Sequence, residues 1–131
     1  MKTKECYLKS IVLRPGDQLK IQGKVASDAE RIRIDLGADE DNLALHFNPR
    51  WDDAAIVCNS KHESTWGEEE RHDNPLQRGA TLKILIKLTG NLFEVELPNG
   101  EELTFPNREG MEVINYIRVK GDFKITSFKL I

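Results

Sequence analysis

Short segments in which apolar and polar residues alternate recur along this chain, and this period of two limits its possible folds more than any other feature. Residues 43–50, 81–88 and 92–97 show it most clearly, and such alternation is typical of half-buried β-strands. Turn signals such as RPGD (14–17) and PNG (98–100) separate the segments. No long segment carries a helical pattern, so the sequence predicts an all-β fold, either a two-sheet antiparallel sandwich or a barrel.

The same pattern predicts individual strands. We expect strands at 7–13, 19–25, 31–36, 43–50, 55–59, 66–71, 81–88, 92–97, 103–105, 116–119 and 123–130. The last two are expected to form a hairpin around Gly121 and Asp122. We further expect an acidic turn at 37–42, a break in the chain at 72–75 and a helical turn at 109–115.

Length and composition place the chain among ordinary globular proteins. Its 131 residues fit one domain spanning 1–131, with 39% hydrophobic and 31% charged residues. The net charge is −3 and the sequence contains no dense run of Lys and Arg, so we expect neither a nucleic-acid nor an acidic-membrane partner. The N-terminus MKTKECYLKS has no apolar region typical of a signal peptide, and no apolar run approaches the roughly 18 residues that span a bilayer.

The two cysteines, Cys6 and Cys58, indicate the redox environment in which the chain is expected to be made. Cys58 lies between Val57 and Asn59, which are expected to point outward, so its thiol should face the core. A buried, inert cysteine fits this position better than a redox centre. The remaining cysteine is Cys6, and synthesis in a reducing cytosol is the expectation.

Residues 43–71 carry the side chains suited to binding chemistry. In the first strand of this stretch, Leu43, Leu45 and Phe47 are expected to face the core. If the strands at 43–50, 55–59 and 66–71 are neighbours, their outward side chains form one surface, which we call the polar platform. Its members are His46, Asn48, Arg50, Asn59, Glu69 and Arg71, with Trp66 at its edge.

A polar platform of this composition suits a carbohydrate. Sugar hydroxyls both donate and accept hydrogen bonds, and charged side chains make the stronger bonds to them. An exposed indole such as that of Trp66 can stack on the apolar face of a sugar ring. Arg50 and Arg71 would keep Glu69 ionised and in place before the sugar arrives.

Several motifs resemble those of one family. The motifs HFNPR (46–50), VCN (57–59) and WGEEER (66–71) resemble, in order and spacing, the carbohydrate-recognition motifs of the galectins. Further similarities are RPG (14–16), LPNG (97–100), FPNR (105–108) and GDFK (121–124), so the resemblance covers nearly the whole chain. It implies a jelly-roll sandwich of two sheets with the ligand on the concave face of one, and a metal-independent lectin for β-galactosides such as lactose and N-acetyllactosamine.

The resemblance also implies a role for each residue of the site. The axial 4-hydroxyl of galactose would contact His46, Asn48 and Arg50, and its 6-hydroxyl would contact Asn59 and Glu69. Trp66 would stack on the apolar face of the galactose ring. Contacts to the next sugar would come from Arg50, Glu69 and Arg71, and a van der Waals wall from Val57.

One segment departs from some members of that family. Between Arg50 and Ile56 the chain has only the residues WDDAA. Some galectins have a longer loop there with a second histidine close to the sugar, so that contact is absent from this chain. Trp51 and Asp52 are expected to shape this rim instead.

Two other classes of function are alternatives to a lectin. A glycoside hydrolase needs two carboxyl groups flanking the bond, one of them protonated, and we expect no second carboxylate on the same face as Glu69. A galectin-like interaction module without sugar binding would be expected to have substitutions in the motifs, which are complete here. The acidic residues 37–42 lack the pattern of a calcium loop, so neither a metal nor another cofactor is expected.

The terminal strands predict how the protein assembles. A strand at an open sheet edge invites pairing with another chain, and 7–13 and 123–130 lie at the two ends of the sequence. Exposed Phe128, Leu130 and Ile131 would suit a two-fold interface. Galectins of one domain are similar in joining through such strands, which implies a homodimer that cross-links glycans on glycoproteins or glycolipids. Alternatively, Lys124 and Lys129 protect the edge and the protein is a monomer. The resemblance also implies export from the cytosol by an unconventional route.

Overall fold

The computed structural model describes the backbone of residues 5–131 and the side chains of residues 11–131, so the expectation about the extreme N-terminus lies partly outside the described residues. This part of the chain forms strands β1 (Glu5–Leu13), β2 (Gln18–Val25), β3 (Ile32–Asp39), β4 (Asn42–Arg50), β5 (Ala55–His62), β6 (Thr65–Trp66), β7 (Glu70–Asp73), β8 (Thr81–Leu88), β9 (Leu92–Glu96), β10 (Glu102–Pro106), β11 (Ile114–Gly121) and β12 (Phe123–Leu130). Among these residues, no helix has the length and the apolar character needed to cross a membrane.

The strands form two antiparallel sheets. One has the order β1-β11-β3-β4-β5-β6, with β7 also paired to β5, and the other has the order β10-β9-β8-β2-β12. The predicted all-β sandwich of two antiparallel sheets is therefore confirmed. The terminal strands β1 and β12 each lie at a sheet edge, as the dimer hypothesis requires.

The core lies between the sheets because each strand turns its apolar residues to the same side. Phe47 comes from the larger sheet, and Phe93, Phe105 and Phe123 come from the smaller one; all four rings are almost fully buried. Cys58 is buried beside them, which confirms its predicted direction. Packing of these apolar faces leaves the polar side of the larger sheet outward, and this side carries the polar platform.

The predicted hairpin at the C-terminus is wrong. β11 pairs with β1 and β3 in the larger sheet, whereas β12 pairs with β2 in the smaller one. Gly121 has a φ of 117°, and Asp122 follows it as the chain crosses from one sheet to the other. Both segments have alternating patterns, but alternation shows only that a strand forms and says nothing about its partner.

Four local predictions also need correction. Residues 66–71 form two strands: Glu68 and Glu69 lie between β6 and β7, and each of these strands pairs separately with β5. Strand β7 continues to Asp73, so the break begins later than predicted. Strand β3 extends to Asp39 and shortens the acidic turn. No helical turn forms at 109–115, where a turn at 108–109 and a bend at 112 precede β11.

The outer face of the smaller sheet collects basic residues that are scattered in the sequence. Six lysines project from the adjacent strands β12, β2 and β8: Lys20, Lys24, Lys83, Lys87, Lys124 and Lys129. Two pairs of them are direct cross-strand neighbours, Lys24 with Lys124 and Lys20 with Lys129. The sequence had indicated no dense cluster of cations, and the fold creates one.

Candidate functional site

A groove of about 530 Å³ crosses the outward face of the larger sheet. One half lies over β4, β5 and β6, and six of the eight predicted site residues line it: His46, Asn48, Arg50, Asn59, Trp66 and Glu69. The other half extends over β3 and β11, where the lining includes Arg31, Arg33 and Lys120. The sequence predicted the first half of this groove and not the second.

The strand register aligns four polar residues across the floor. Asn59 on β5 is opposite His46 on β4, which is in turn opposite Asp35 on β3. Arg118 on β11 is opposite Asp35 and completes the row. Because side chains directly opposite one another share a face of the sheet, the row connects the two halves of the groove.

The fully buried carboxylate of Asp35 orients the imidazole of His46. The Nδ1 atom of His46 lies 2.6 Å from Oδ1 of Asp35. Burial by itself raises the pKa of the Asp35 carboxyl, but the hydrogen bond and charge interaction with His46, together with those of Arg33, outweigh it and lower the pKa below its usual value. Since an ionised carboxylate can only accept, Nδ1 of His46 donates, and in the neutral ring Nε2 is left as an acceptor.

The two asparagines of the floor have most of their hydrogen-bonding groups occupied. Nδ2 of Asn48 donates to the carbonyl of Ile32 at 2.7 Å, and its Oδ1 accepts from Nε of Arg50 at 2.9 Å. Nδ2 of Asn59 donates to the carbonyl of Gly67 at 3.0 Å, and its Oδ1 accepts from the backbone of Ser60 at 2.8 Å. One N–H on each amide therefore remains for a ligand.

Two carboxylates and two guanidinium groups form a network at the β7 side of the groove. Glu69 lies 3.6 Å from Arg50 and 3.7 Å from Arg71. Asp53 accepts from Arg71 at 2.9 Å and from Arg50 at 3.2 Å, and the bonds from Arg71 and Arg50 lower the pKa of its carboxyl. Asp53, from the loop between β4 and β5, is thus a second carboxylate that shares both arginines with Glu69, and the expectation based on strand faces did not include it. Each arginine is held by two anions, which fixes the guanidinium groups before a ligand binds.

Trp66 forms the wall of the groove at the edge of the sheet, as predicted. Its indole is 42% exposed. The imidazole of His46 lies 4.7 Å from it between centroids, tilted by 57°, and the ammonium of Lys61 lies 4.9 Å from the ring centroid. These contacts hold one orientation of the ring while leaving part of its surface open to a ligand.

Two predicted site residues do not line the groove. Val57 is 1% exposed and lies between Asn48 and Arg71 in the register of the strands. Arg71 contacts the carboxylates of Glu69 and Asp53 and holds them in place, but does not itself line the groove.

The expected rim residues also differ from the prediction. Trp51 packs partly against the core and donates from Nε1 to the carbonyl of Leu76 at 2.9 Å, so it does not form a rim. Asp52 pairs with Arg31 at 3.2 Å, which places it at the β3 end of the groove.

Three residues that support the site were missed by the sequence analysis. Asp35 and Asp53 are described above, and Arg108 donates to Oδ1 of Asn59 and to Oγ of Ser60, both at 3.3 Å. The alternation of β3 had placed Asp35 on the polar face. Nothing in the sequence indicated that β3 pairs with β4 and so brings Asp35 beside His46.

The chemical groups of the groove match a ligand rich in hydroxyls. An imidazole nitrogen and Glu69 accept, Asn48, Asn59 and Arg50 donate, and an indole offers an apolar surface. Within the described residues, no three His, Cys, Asp or Glu side chains come together to hold a metal ion. A sandwich with such a groove on one sheet is the architecture of a saccharide-binding protein.

Comparison with known proteins agrees with this class. The family model described as galactoside-binding lectin matches residues 8–130. Human galectin-2 is 43% identical over 129 residues, which cover 98% of this chain and 98% of galectin-2. The solved structure of chicken galectin 2 superposes with a TM-score of 0.92 at 41% identity, covering 95% of this chain and 98% of that one. CG-16, a homodimeric agglutinin from chicken liver, gives a TM-score of 0.92 at 40% identity, covering 97% and 100%.

The chain belongs to the galactoside-binding lectin family, the galectins. The resemblance inferred from the HFNPR, VCN and WGEEER motifs is confirmed.

Proposed function

We propose that this protein is a metal-independent lectin that binds β-galactosides such as lactose and N-acetyllactosamine. The observation that carries the proposal is that hydrogen bonds to neighbouring residues already hold the polar side chains of the groove in place. Neighbouring residues already occupy one side of His46, Asn48 and Asn59, so each presents a defined acceptor or donor to a ligand. A site organised in this way loses little entropy on binding.

The axial 4-hydroxyl of galactose fits the centre of the floor. Its proton is donated to Nε2 of His46, and its oxygen accepts from the free N–H of Asn48 and from the guanidinium of Arg50. In glucose the 4-hydroxyl is equatorial and leaves these groups unpaired. Losing one hydrogen bond to a charged partner costs roughly 1.5–3 kcal/mol, which is about tenfold or more in affinity.

The rest of the disaccharide follows from this placement. The 6-hydroxyl accepts from the free N–H of Asn59 and donates to Glu69, while the apolar face of the ring stacks on Trp66. The next sugar reaches Arg50 and Glu69, with Arg71 holding Glu69 from behind. The groove is shallow and open, so we expect a dissociation constant in roughly the millimolar to micromolar range.

The same geometry favours binding over catalysis. A glycoside hydrolase requires one protonated and one ionised carboxyl group. Asp53 accepts from Arg71 and Arg50, and these bonds lower the pKa of its carboxyl, which suits a permanent anion and not a proton donor. We therefore assign no enzymatic activity to the pair Asp53 and Glu69. The complete set of groove residues equally favours sugar binding over an interaction module that has lost it.

We further propose a homodimer that joins through β1 and β12. Both strands lie at open edges, and the β12 end exposes Leu130 at 46% and Ile131 at 65%. Phe128 is partly buried against the core and contributes less than the sequence suggested. The similar chicken-liver agglutinin CG-16 is itself a homodimer. Two sites on one particle gain avidity on a surface rich in glycans, by up to roughly 10²–10⁴ where both engage.

The biological ligands that suit such a dimer are galactose-bearing glycoproteins and glycolipids. Synthesis in the cytosol followed by unconventional export would bring the dimer to them, and is part of the same proposal. A fraction of the protein retained inside cells would have other ligands.

Calorimetric titration with lactose tests the proposed site. Wild type should bind lactose, and Trp66→Ala should nearly abolish binding while its circular dichroism spectrum is unchanged, because stacking supplies much of the contact area. Val113→Ala is the matched control, since Val113 is also 42% exposed and does not line the groove. Equal lactose affinity for wild type and folded Trp66→Ala would refute the site.

A further inference from the structure

The outer face of the smaller sheet carries a concentration of positive charge that the galactose groove does not use. Strands β2, β8 and β12 contain six lysines and no Asp or Glu, although the whole chain has a net charge of −3. Lys87 lies opposite Glu94 of β9, which balances its charge. We call the other five residues the lysine face: Lys20, Lys24, Lys83, Lys124 and Lys129.

The register of the strands brings these lysines close together. Lys24 is directly opposite Lys124, and Lys20 is directly opposite Lys129. Lys83 on β8 lies at the level between these two pairs. A strand rises about 3.3 Å per residue and neighbouring strands are about 4.8 Å apart, so the five side chains emerge from an area of roughly 13 by 10 Å. Their charges therefore act together on a ligand, because the area is about as wide as the screening length in physiological salt.

The lysine face is unfavourable for the free protein. Like charges directly opposite each other on paired strands destabilise a sheet. None of the five ammonium groups makes an ion pair within residues 11–131. The acidic residues in the strands of this sheet are confined to β9 and β10, at one side of the face. An anionic ligand that lies across β12, β2 and β8 would remove the repulsion and stabilise the fold.

The uncharged side chains between the lysines indicate the class of this ligand. Gln22 lies between Lys20 and Lys24 on β2, and Ser127 of β12 is directly opposite Gln22. Amide and hydroxyl groups both donate and accept hydrogen bonds. This mixture of ammonium, amide and hydroxyl groups suits a polymer that carries hydroxyls as well as anions, which is the chemistry of a sulfated polysaccharide.

The same three strands lack the features that suit other polyanions. Phe123 and Phe128 of β12 pack against the core, so no aromatic ring is presented for stacking on nucleic-acid bases. On β8, Leu85 is the partly exposed apolar residue between two exposed lysines, and a single apolar side chain is a poor anchor in a lipid bilayer. Lysine binds an anion as a point charge without a fixed orientation, which suits a flexible polymer.

We propose that the lysine face binds a linear sulfated polysaccharide of the glycosaminoglycan type. The sulfate groups accept charge-assisted hydrogen bonds from the lysines, and the hydroxyl groups of the polymer meet Gln22 and Ser127. The galactose groove lies on the other sheet. The inference therefore does not depend on the proposed lectin function, and the protein can bind both ligands at the same time.

Calorimetry with a size-selected heparin oligosaccharide as the probe tests the inference. We expect binding at low salt that weakens steeply as salt is added, with a slope of about −3 to −4 for log K against log salt, as for counterions released by about five contacts. Saturating lactose should leave the heparin affinity unchanged. Poly-glutamate, which carries anions without hydroxyls, should bind about fivefold more weakly than heparin because hydrogen bonds are lost.

Substitutions that remove charge locate the binding surface. Lys24→Gln should weaken heparin binding about two- to fivefold, and Lys24→Gln combined with Lys124→Gln about tenfold, as for exposed ionic contacts. The double variant should bind lactose like wild type and should unfold in urea at no lower concentration, since repulsion is removed. Lys120→Gln is the matched control, because this exposed lysine also lies opposite a cation, Arg33, but on the larger sheet. Its heparin affinity should equal that of wild type.

Four results would overturn the inference. Absence of heparin binding in protein that binds lactose would do so and would leave the lectin function standing. Competition by lactose, or a loss in Lys120→Gln equal to that in Lys24→Gln, would assign the polymer to the galactose groove. Equal affinity for heparin and poly-glutamate would show that the face responds to charge alone. Binding to vesicles containing phosphatidylserine that is lost in the double variant, without binding to heparin, would assign the face to a membrane.

Discussion

Replacing Asp35 tests whether the buried carboxylate holds the floor of the groove together. Its side chain has no exposure, and it accepts from Nδ1 of His46 at 2.6 Å and from Arg33 at 2.8–2.9 Å, with Arg118 at 3.6 Å. Removing one partner from a buried ionic network costs about 3–5 kcal/mol. Arg33 and Arg118 are 29% and 22% exposed, so they can regain hydration. We therefore expect Asp35→Ala to lower the free energy of unfolding by about 3 kcal/mol.

Asp35→Asn separates the charge of this side chain from its shape. The amide oxygen can still accept from His46, while its NH₂ faces the N–H groups of Arg33 instead of accepting from them. We expect a loss of about 1–2 kcal/mol. Lactose affinity should fall by only about two- to fivefold, because the imidazole keeps its orienting hydrogen bond, now to a neutral amide oxygen.

The loss of stability in the Asp35 variants should depend on pH, and the pKa of Asp35 determines in which direction. The pKa of the Asp35 carboxyl is lowered in the folded protein, so its ionised form stabilises the fold above the pKa of the unfolded chain, about 3.9. That stabilisation disappears as the pH falls through the folded-state pKa. The difference between wild type and Asp35→Asn should be complete at neutral pH and should narrow in strong acid.

Urea unfolding at pH values from about 7 down to about 2.5, followed by circular dichroism, measures these differences. Asp28→Asn is the control, because Asp28 is an exposed turn residue and its replacement should change the stability little at any pH. A loss below about 1 kcal/mol for Asp35→Ala, far under the range for a buried ionic network, would refute the reasoning. A difference between wild type and Asp35→Asn that does not vary with pH would do the same.

Four further predictions follow from the site and the edges. Asp53→Asn should weaken lactose binding about two- to fivefold without changing stability, since this exposed anion orients two arginines; unchanged affinity in calorimetry would contradict that role. Burial raises the pKa of the Cys58 thiol to about 12, so iodoacetamide near pH 8 should leave it unmodified until urea is added, as peptide mass spectrometry would show. Leu130→Arg should give monomers in sedimentation, and a persistent dimer would place the interface elsewhere. Lactose affinity should be the same in EDTA; a loss reversed by calcium would contradict direct binding by side chains.

The sequence by itself determined the strands and the direction of their side chains. In β4, Leu45 and Phe47 face the core as predicted, and this places His46 and Asn48 on the opposite side. The prediction for Leu43 is wrong: an irregularity of the register puts it opposite Lys61, outside the core cluster, although it is buried. Such information is local, because the pleat repeats every two residues whatever the strand is paired with. The three short motifs lie on adjacent strands, which is why six of the eight predicted residues do line the groove.

The tertiary structure alone decided which strands are neighbours. β11 and β12 follow each other in the chain, yet they lie in different sheets, because Val119 and Phe123 bury their side chains from opposite layers of the core. Asp35 comes to lie beside His46, and Lys120 beside Arg33, through pairings between segments distant in sequence. Alternation is the same for every strand and cannot select a partner; the selection is made by the combined packing of both sheets.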